Sequence, residues 1–335
     1  MSTLNQLPAL AATGDACSMP TVSRTQRLRD KIGLCQWFHY QDHIAVDRTI
    51  ELMGELGAKH LRTGISWADY VRPDGKTWYD WQMNRLADSG LEVLLSVWHT
   101  PPSVAEGPAC NIPPRRLWDY ADFIDLVITH YGHAFGHLEL WNEPNNRYKW
   151  DFVGFDPQWR KFGEMIGAAA YWAKQRGRQT VLGGMIPVDH NWLNLMRDYG
   201  VLDYIDVVAI HGFPGMWFPN HPNWDWHRDF TGWADRIAYI HGHAGRPIWV
   251  TETGIATWDL ARNREAKYEL QTQALDRLID APGERFYFYS LVDLDPEREA
   301  IEGFHVDENE YHMGLVKHDG YRKLAFERMK SLLNA

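Results

Sequence analysis

Residues 118–143 read WDYADFIDLVITHYGHAFGHLELWNE. Over Trp118–Tyr131, apolar residues return at three- and four-residue intervals, the spacing of one helix face. Leu138–Glu143 (LELWNE) is then a short apolar run of strand type that closes on a carboxylate. The same alternation extends in both directions. Upstream lie the strand candidates Ile32–Trp37 (IGLCQW), His60–Trp67 (HLRTGISW) and Val93–His99 (VLLSVWH). Downstream lie Thr180–Met185 (TVLGGM), Ile205–His211 (IDVVAIH), Ile248–Glu252 (IWVTE) and Arg285–Val292 (RFYFYSLV). Helical spacing fills Asp47–Leu56, with Ile50, Met53, Gly54 and Gly57 on one side, and also Trp159–Arg176 and Arg264–Asp280. Near-continuous apolar strands alternating with helices point to a parallel sheet covered by helices. Eight such units favour an α/β fold of the closed (β/α)8 TIM-barrel type, a single domain over residues 31–335, rather than an open doubly wound sheet. No GxGxxG or GxxxxGK[ST] opens the first unit, which counts against nucleotide binding. Residues 1–30 are small, polar and aperiodic, and read as a poorly ordered tail or one wrapping the barrel.

The composition agrees with a large enzyme-sized barrel. The chain has 335 residues, 45% of them hydrophobic, and barrels of this type take roughly 250 residues and more with insertions. Trp and Tyr are abundant, at 17 and 15. Core filling accounts for part of that excess. The rest suggests flat faces that meet a ligand, and sugar rings pack their axial C–H groups on such faces. The net charge of -10 and the lack of a long basic run exclude an ordinary nucleic-acid binder. Cys17, Cys35 and Cys110 form no CxxC or Cys/His pattern and read as incidental reduced thiols. The N-terminal LPALAA stretch lacks a basic flank and a continuous apolar run, so the expected location is cytoplasmic. No stretch approaches the ~20 apolar residues that span a bilayer, and no membrane partner is expected. Oligomeric state leaves no trace in the sequence.

Two carboxylates close apolar runs: Glu143 in Leu140-Trp141-Asn142-Glu143-Pro144-Asn145, and Glu252 in Ile248-Trp249-Val250-Thr251-Glu252-Thr253-Gly254. A charged residue there is costly unless it is solvated or employed. Active sites of barrel enzymes sit at the C-terminal ends of the strands. Two insertions also follow strand ends, the Pro-rich 100–116 and the Trp-rich 213–230. Breaking a glycosidic bond takes one carboxylic acid to protonate the leaving oxygen and one carboxylate to attack the anomeric carbon or activate water.

Asn-Glu-Pro after the fourth strand, with a Glu ending the seventh, resembles clan A of the glycoside hydrolases. The shape is closest to the β-xylosidase-like family 39, with the cellulase-like family 5 as a neighbour, and the resemblance covers about residues 31–330. It implies a retaining β-glycosidase working by double displacement, with Glu143 as general acid/base and Glu252 as nucleophile. It further implies that Asn142 binds the sugar 2-hydroxyl and that Arg62 keeps the nucleophile ionised, although a turn residue and a plain buried ion pair explain these two in isolation. His211 matches a position that carries His or Tyr near the nucleophile in relatives. His99, in Trp98-His99-Thr100-Pro101-Pro102, resembles a segment lining the glycone subsite, and His39 is a further candidate. Trp37, Trp67, Trp98 and Trp217 are expected sugar platforms, whereas Trp141 and Trp249 suit the barrel core equally well. Many clan members end the eighth strand with a Trp under the sugar. This chain has Phe286-Tyr287-Phe288-Tyr289-Ser290-Leu291 there, and Tyr289 is the expected stand-in.

The implied partner is an oligosaccharide or polysaccharide, with no metal and no organic cofactor. His241-Gly242-His243 and the pair His39 and His43 lack partner ligands at metal-binding spacing. A transglycosylase would use the same residues, and a non-catalytic carbohydrate-binding barrel would share the fold.

Overall fold

The computed structural model describes residues 23–213, 216, 232–298, 300–301 and 305–335. Each apolar run forms a strand: β1 (Ile32–Cys35), β2 (His60–Ser66), β3 (Glu92–Trp98), β4 (His137–Leu140), β5 (Gln179–Met185), β6 (Val207–His211) and β7 (Ile248–Thr253). A small antiparallel hairpin follows, β8 (Trp258–Asp259) with β9 (Arg264–Glu265), and then β10 (Arg285–Tyr289). β1 to β7 pair in sequence order, all parallel, and β10 pairs with both β7 and β1, so the eight-stranded barrel closes. Leu34 sits opposite Leu61 on one side and Phe288 on the other, the register of the closing seam.

The helices are α1 (Arg24–Lys31), α2 (His43–Leu56), α3 (Trp67–Tyr70), α4 (Gly75–Asp88), α5 (Trp118–Tyr131), α6 (Arg160–Gln175), α7 (His190–Asp198), α8 (Trp233–Ala244), α9 (Tyr268–Asp280) and α10 (Leu324–Leu333). Local signals set several of their ends. Asp42 caps α2 by accepting from the Ala45 N–H at 3.0 Å, and Gly57 ends that helix at φ 70°. The buried face of α2 is Val46, Thr49, Leu52, Met53 and Leu56, so Gly54 is exposed rather than inward as its spacing suggested. The segment expected to be helical from Arg264 is a hairpin strand first, and α9 begins only at Tyr268. Part of the stretch read as a tail, Arg24–Lys31, is helical and contacts α10. None of the helices among the described residues is long and apolar enough to cross a membrane.

Aliphatic and aromatic side chains fill the layer between strands and helices. Trp67 belongs there: it stacks on Phe123 of α5 at 5.4 Å and is core, not the sugar platform expected of it. The barrel axis is polar instead. Arg62 and Glu139 are fully buried and paired at 2.7 Å.

A second buried ion pair braces the loops that follow β7 and β10. The Lys323 ammonium, just before α10, donates to Asp293 at 2.8 Å, to the Thr257 hydroxyl at 3.1 Å and to the His312 carbonyl at 3.1 Å. It also lies 3.4 Å from Glu265 of the hairpin. Replacing Lys323 with Met leaves Asp293 buried without its cation, a change that costs about 3–5 kcal/mol in comparable pairs. Urea denaturation of the Lys323→Met variant should show a loss of that order. An unchanged midpoint would mean the pair braces nothing.

Candidate active site

β4 ends earlier than the sequence suggests. Trp141 turns into the left-handed region at φ 72°, and Glu143 follows at φ 47°. Such backbone in a non-glycine residue costs of order 1–3 kcal/mol and persists only where the surroundings over-determine it. Here they do. The buried Trp141 indole donates to the Lys149 carbonyl at 2.9 Å, and the Trp141 N–H donates to the Val97 carbonyl at 3.0 Å. Asn145 clamps the turn to the next strand's loop, accepting from the Ile186 N–H at 2.8 Å and donating to the Pro187 carbonyl at 2.7 Å. Gly183 leaves the space for this turn, since a Cβ there would lie 2.1 Å from the Trp141 carbonyl oxygen. The result aims Glu143 over the barrel axis.

Glu252 reaches the same point from the end of β7. His211, at the end of β6 and fully buried, stands between the two. Its Nδ1 is 3.0 Å from Glu143 Oε1 and 3.5 Å from Glu252 Oε2, and its Nε2 meets the Thr251 hydroxyl at 3.0 Å. One atom from each of Glu143, His211 and Glu252 falls within 4.8 Å of the other two. Arg62 donates through Nη1 to Glu252 Oε1 at 2.5 Å and through Nη2 to Asn142 Oδ1 at 2.7 Å. The second bond fixes the flip of Asn142, turning its amide nitrogen away from the guanidinium. Trp37 lies against the guanidinium, 4.7 Å from its central carbon.

These surroundings separate the two carboxyl groups chemically. Burial raises the Glu143 pKa above the usual carboxylate range, against the downward pull of Lys149, Asn146 and Arg62. Burial alone would weaken the charge on Arg62, but Glu139, Glu252 and Cys35 hold it firmly cationic. Glu252 is thus paired with a fixed positive charge, and Glu143 is not. His99, at φ 65° after β3, is brought down to about 3 by burial and by Lys149, so its imidazole is neutral at pH 7.

Glu143, Glu252, Asn142, Arg62 and His211 therefore converge. Trp98 packs edge-on to Trp37 at 4.4 Å, with His99 beside it. Tyr289 shares a small cavity with Trp37, Ile301, His305 and Glu310. His39 lies off to one side, lining a cavity of about 130 Å³ with Trp37, Asp42, Arg48, Asp293 and Arg298. Neither carboxylate lines that cavity. Trp217 and Cys17 lie outside the described residues. Trp249 sits at the other end of the barrel under Arg285, 4.8 Å from ring centre to guanidinium. Sequence reasoning missed Glu139, whose signal was a charge inside an apolar strand. It also missed Asn146, which donates to Glu143 Oε2 at 2.9 Å, and the buried Lys149. A metal-like grouping of Glu265, Asp293 and His312 is served by the Lys323 ammonium.

No protein-family model matches the chain, and no curated protein matches its sequence. Solved structures do match its fold. A GH2 β-galacturonidase from Eisenbergiella tayi, solved with galacturonate bound, aligns at TM-score 0.59 and 17% identity over 90% of this chain and 50% of its own. A monomeric β-xylosidase from Caulobacter crescentus CB15 aligns at TM-score 0.66 and 17% identity, over 92% and 68% respectively. A GH39 enzyme from Xanthomonas axonopodis pv. citri aligns at TM-score 0.67 and 17% identity, over 91% and 66%. The chain thus spans half to two thirds of the length of these proteins. At such identities the likeness establishes the fold, that of the barrels the sequence resembles.

Gly184 offers a test of the His211 bridge. A Cβ at Gly184 would lie 1.9 Å from His211 Nε2, so the Gly184→Ala variant must displace the ring. The His211 ring NMR signals of the variant should move and the Glu143 contact weaken, with the circular dichroism spectrum intact. Unmoved ring signals would show that Gly184 does not set the position of His211.

Proposed function

We propose that this barrel is a retaining glycoside hydrolase that cleaves β-glycosidic bonds in oligosaccharides or polysaccharides. Glu143 is the general acid/base and Glu252 the nucleophile. The observation that carries the reading is the unequal pair: one buried carboxyl is bonded to an arginine, and the other has a raised pKa. Their closest approach, within 4.8 Å, supports retention. Inverting enzymes keep the two groups ≈ 6.5–9.5 Å apart to admit a water, and retaining ones ≈ 5–5.5 Å.

In the first step Glu252 attacks the anomeric carbon while protonated Glu143 gives its proton to the leaving oxygen. In the second, Glu143 takes a proton from water, whose oxygen releases the sugar from Glu252. Asn142 donates its amide N–H groups to the sugar 2-hydroxyl. Trp37, Trp98, His99 and Tyr289 form the wall of the sugar-binding subsite, with His99 neutral and so able to act as donor and acceptor. The xylosidase-like branch is the starting point for the choice of sugar.

The parent protein and its Glu143→Gln and Glu252→Gln variants should be assayed on aryl xylosides and β-hexosides, with azide as external nucleophile. Each variant should lose about 10²–10⁴-fold on substrates needing acid assistance. Azide should give a β-glycosyl azide with the Glu143 variant and an α-glycosyl azide with the Glu252 variant. Unchanged activity in both variants would refute the assignment. The pH profile gives a further check. The acid must start protonated, so kcat/KM should fall as pH rises through the elevated pKa of Glu143, and this basic limb should vanish in Glu143→Gln.

A further inference from the structure

We propose that Glu139 is a positioning residue that tunes Glu252 through Arg62, an inference that rests on Glu252 being the nucleophile. Glu139 makes its contacts with Arg62. It projects from the middle of β4 into the barrel axis and is fully buried. Its Oε2 accepts from Arg62 Nε and lies 2.7 Å from Arg62 Nη2. Its Oε1 has no hydrogen-bond partner among the described residues. Among the described residues its charge is therefore met by Arg62, which it grips along one edge. The opposite corner, Nη1, holds Glu252. One cation serves two carboxylates.

That sharing has a chemical consequence. A carboxylate wholly neutralised by an arginine is stable and a poor nucleophile, because the pairing lowers its basicity. By drawing on the same guanidinium, Glu139 keeps Glu252 more basic than an exclusive pair would. It also leaves the group Arg62, Glu139 and Glu252 with a net charge of one negative beneath the sugar. The retaining transition state resembles an oxocarbenium ion, and fixed negative charge below the anomeric carbon stabilises it. If Arg62 merely needed an acceptor on that edge, a glutamine amide oxygen would serve without the expense of burying an ion.

The isosteric Glu139→Gln variant separates these roles. Two readouts are needed. The first is the carboxyl ¹³C titration of Glu252 in protein labelled at the glutamate side-chain carbon, with the signal assigned through Glu252→Gln. Removing one negative charge from the shared arginine should lower the Glu252 midpoint by about one pH unit. The second is the pH profile of kcat/KM, whose acidic limb should move down by the same amount. Its basic limb, set by Glu143, should move the same way, because Arg62 also acts on Glu143. The maximal kcat should drop while KM changes less.

A merely structural Glu139 would lower the melting temperature, or activity at every pH, and leave both titrations in place. That result, in a folded Gln variant, overturns the proposal. Should Glu139→Gln fail to fold, Glu139→Asp withdraws the carboxylate by one methylene and should give a smaller shift of the same sign; no shift there overturns it equally. The two hypotheses stay distinguishable. A parent without glycosidase activity defeats the hydrolase reading, whereas the ¹³C titration tests the coupling through Arg62 without any turnover.

Discussion

The guanidinium of Arg62 is the point on which the upper half of the barrel is organised. It is wholly buried, lies against the Trp37 ring, and contacts Cys35, Glu139, Asn142 and Glu252, which come from β1, β4, β7 and the turn after β4. A buried cation is tolerable only when its charge and its N–H groups are met. The residues meeting them are therefore fixed relative to one another, because none can shift without exposing the charge. Five directional donors in one rigid plane do this better than a lysine could. Asn142 and Glu252 consequently stand where they do because of a bond to a neighbour.

Glu143 is placed by a different device. Its position comes from backbone held in an unfavourable conformation, with Trp141 as the anchor and Gly183 as the space that lets the turn close. The two carboxyl groups are thus presented by unlike means, one by an ion pair and the other by a strained turn, and His211 touches both. The chemical difference follows from this. The group tied to arginine has a fixed cation beside it, and burial raises the pKa of the group on the turn.

Much of this was readable in the chain. All eight barrel strands coincide with the apolar runs, because a strand covered on both faces must be apolar nearly throughout. The two glutamates stood out because a charge closing such a run is conspicuous. Strand ends were misjudged where chemistry overrode propensity: nothing in Leu-Glu-Leu-Trp-Asn-Glu announces that Trp141 leaves the strand. Trp67 was misread because β2 stops at Ser66, so Trp67 opens α3 and packs against Phe123 of α5. Glu139 left a signal that reads two ways, a lone charge in an apolar run, and Lys149 left none. One looks like the polar beat of an ordinary strand and the other like a loop lysine, and only the closing of the barrel brings their charges toward the site.

The polar axis also bears on how such a protein could be made hardier. Paired ions in a dry interior add little to folding, and well-packed apolar side chains of similar volume often do better by 1–4 kcal/mol. The middle of this barrel is therefore a place where robustness and purpose pull in opposite directions. A search for heat-resistant descendants, blind to turnover, would tend to replace Arg62 and Glu139 with leucines and methionines and yield a sturdy barrel with nothing left at its mouth. Hardening should begin instead at the outer helices and their loops, far from the axis, where a gain in cohesion takes nothing from the site.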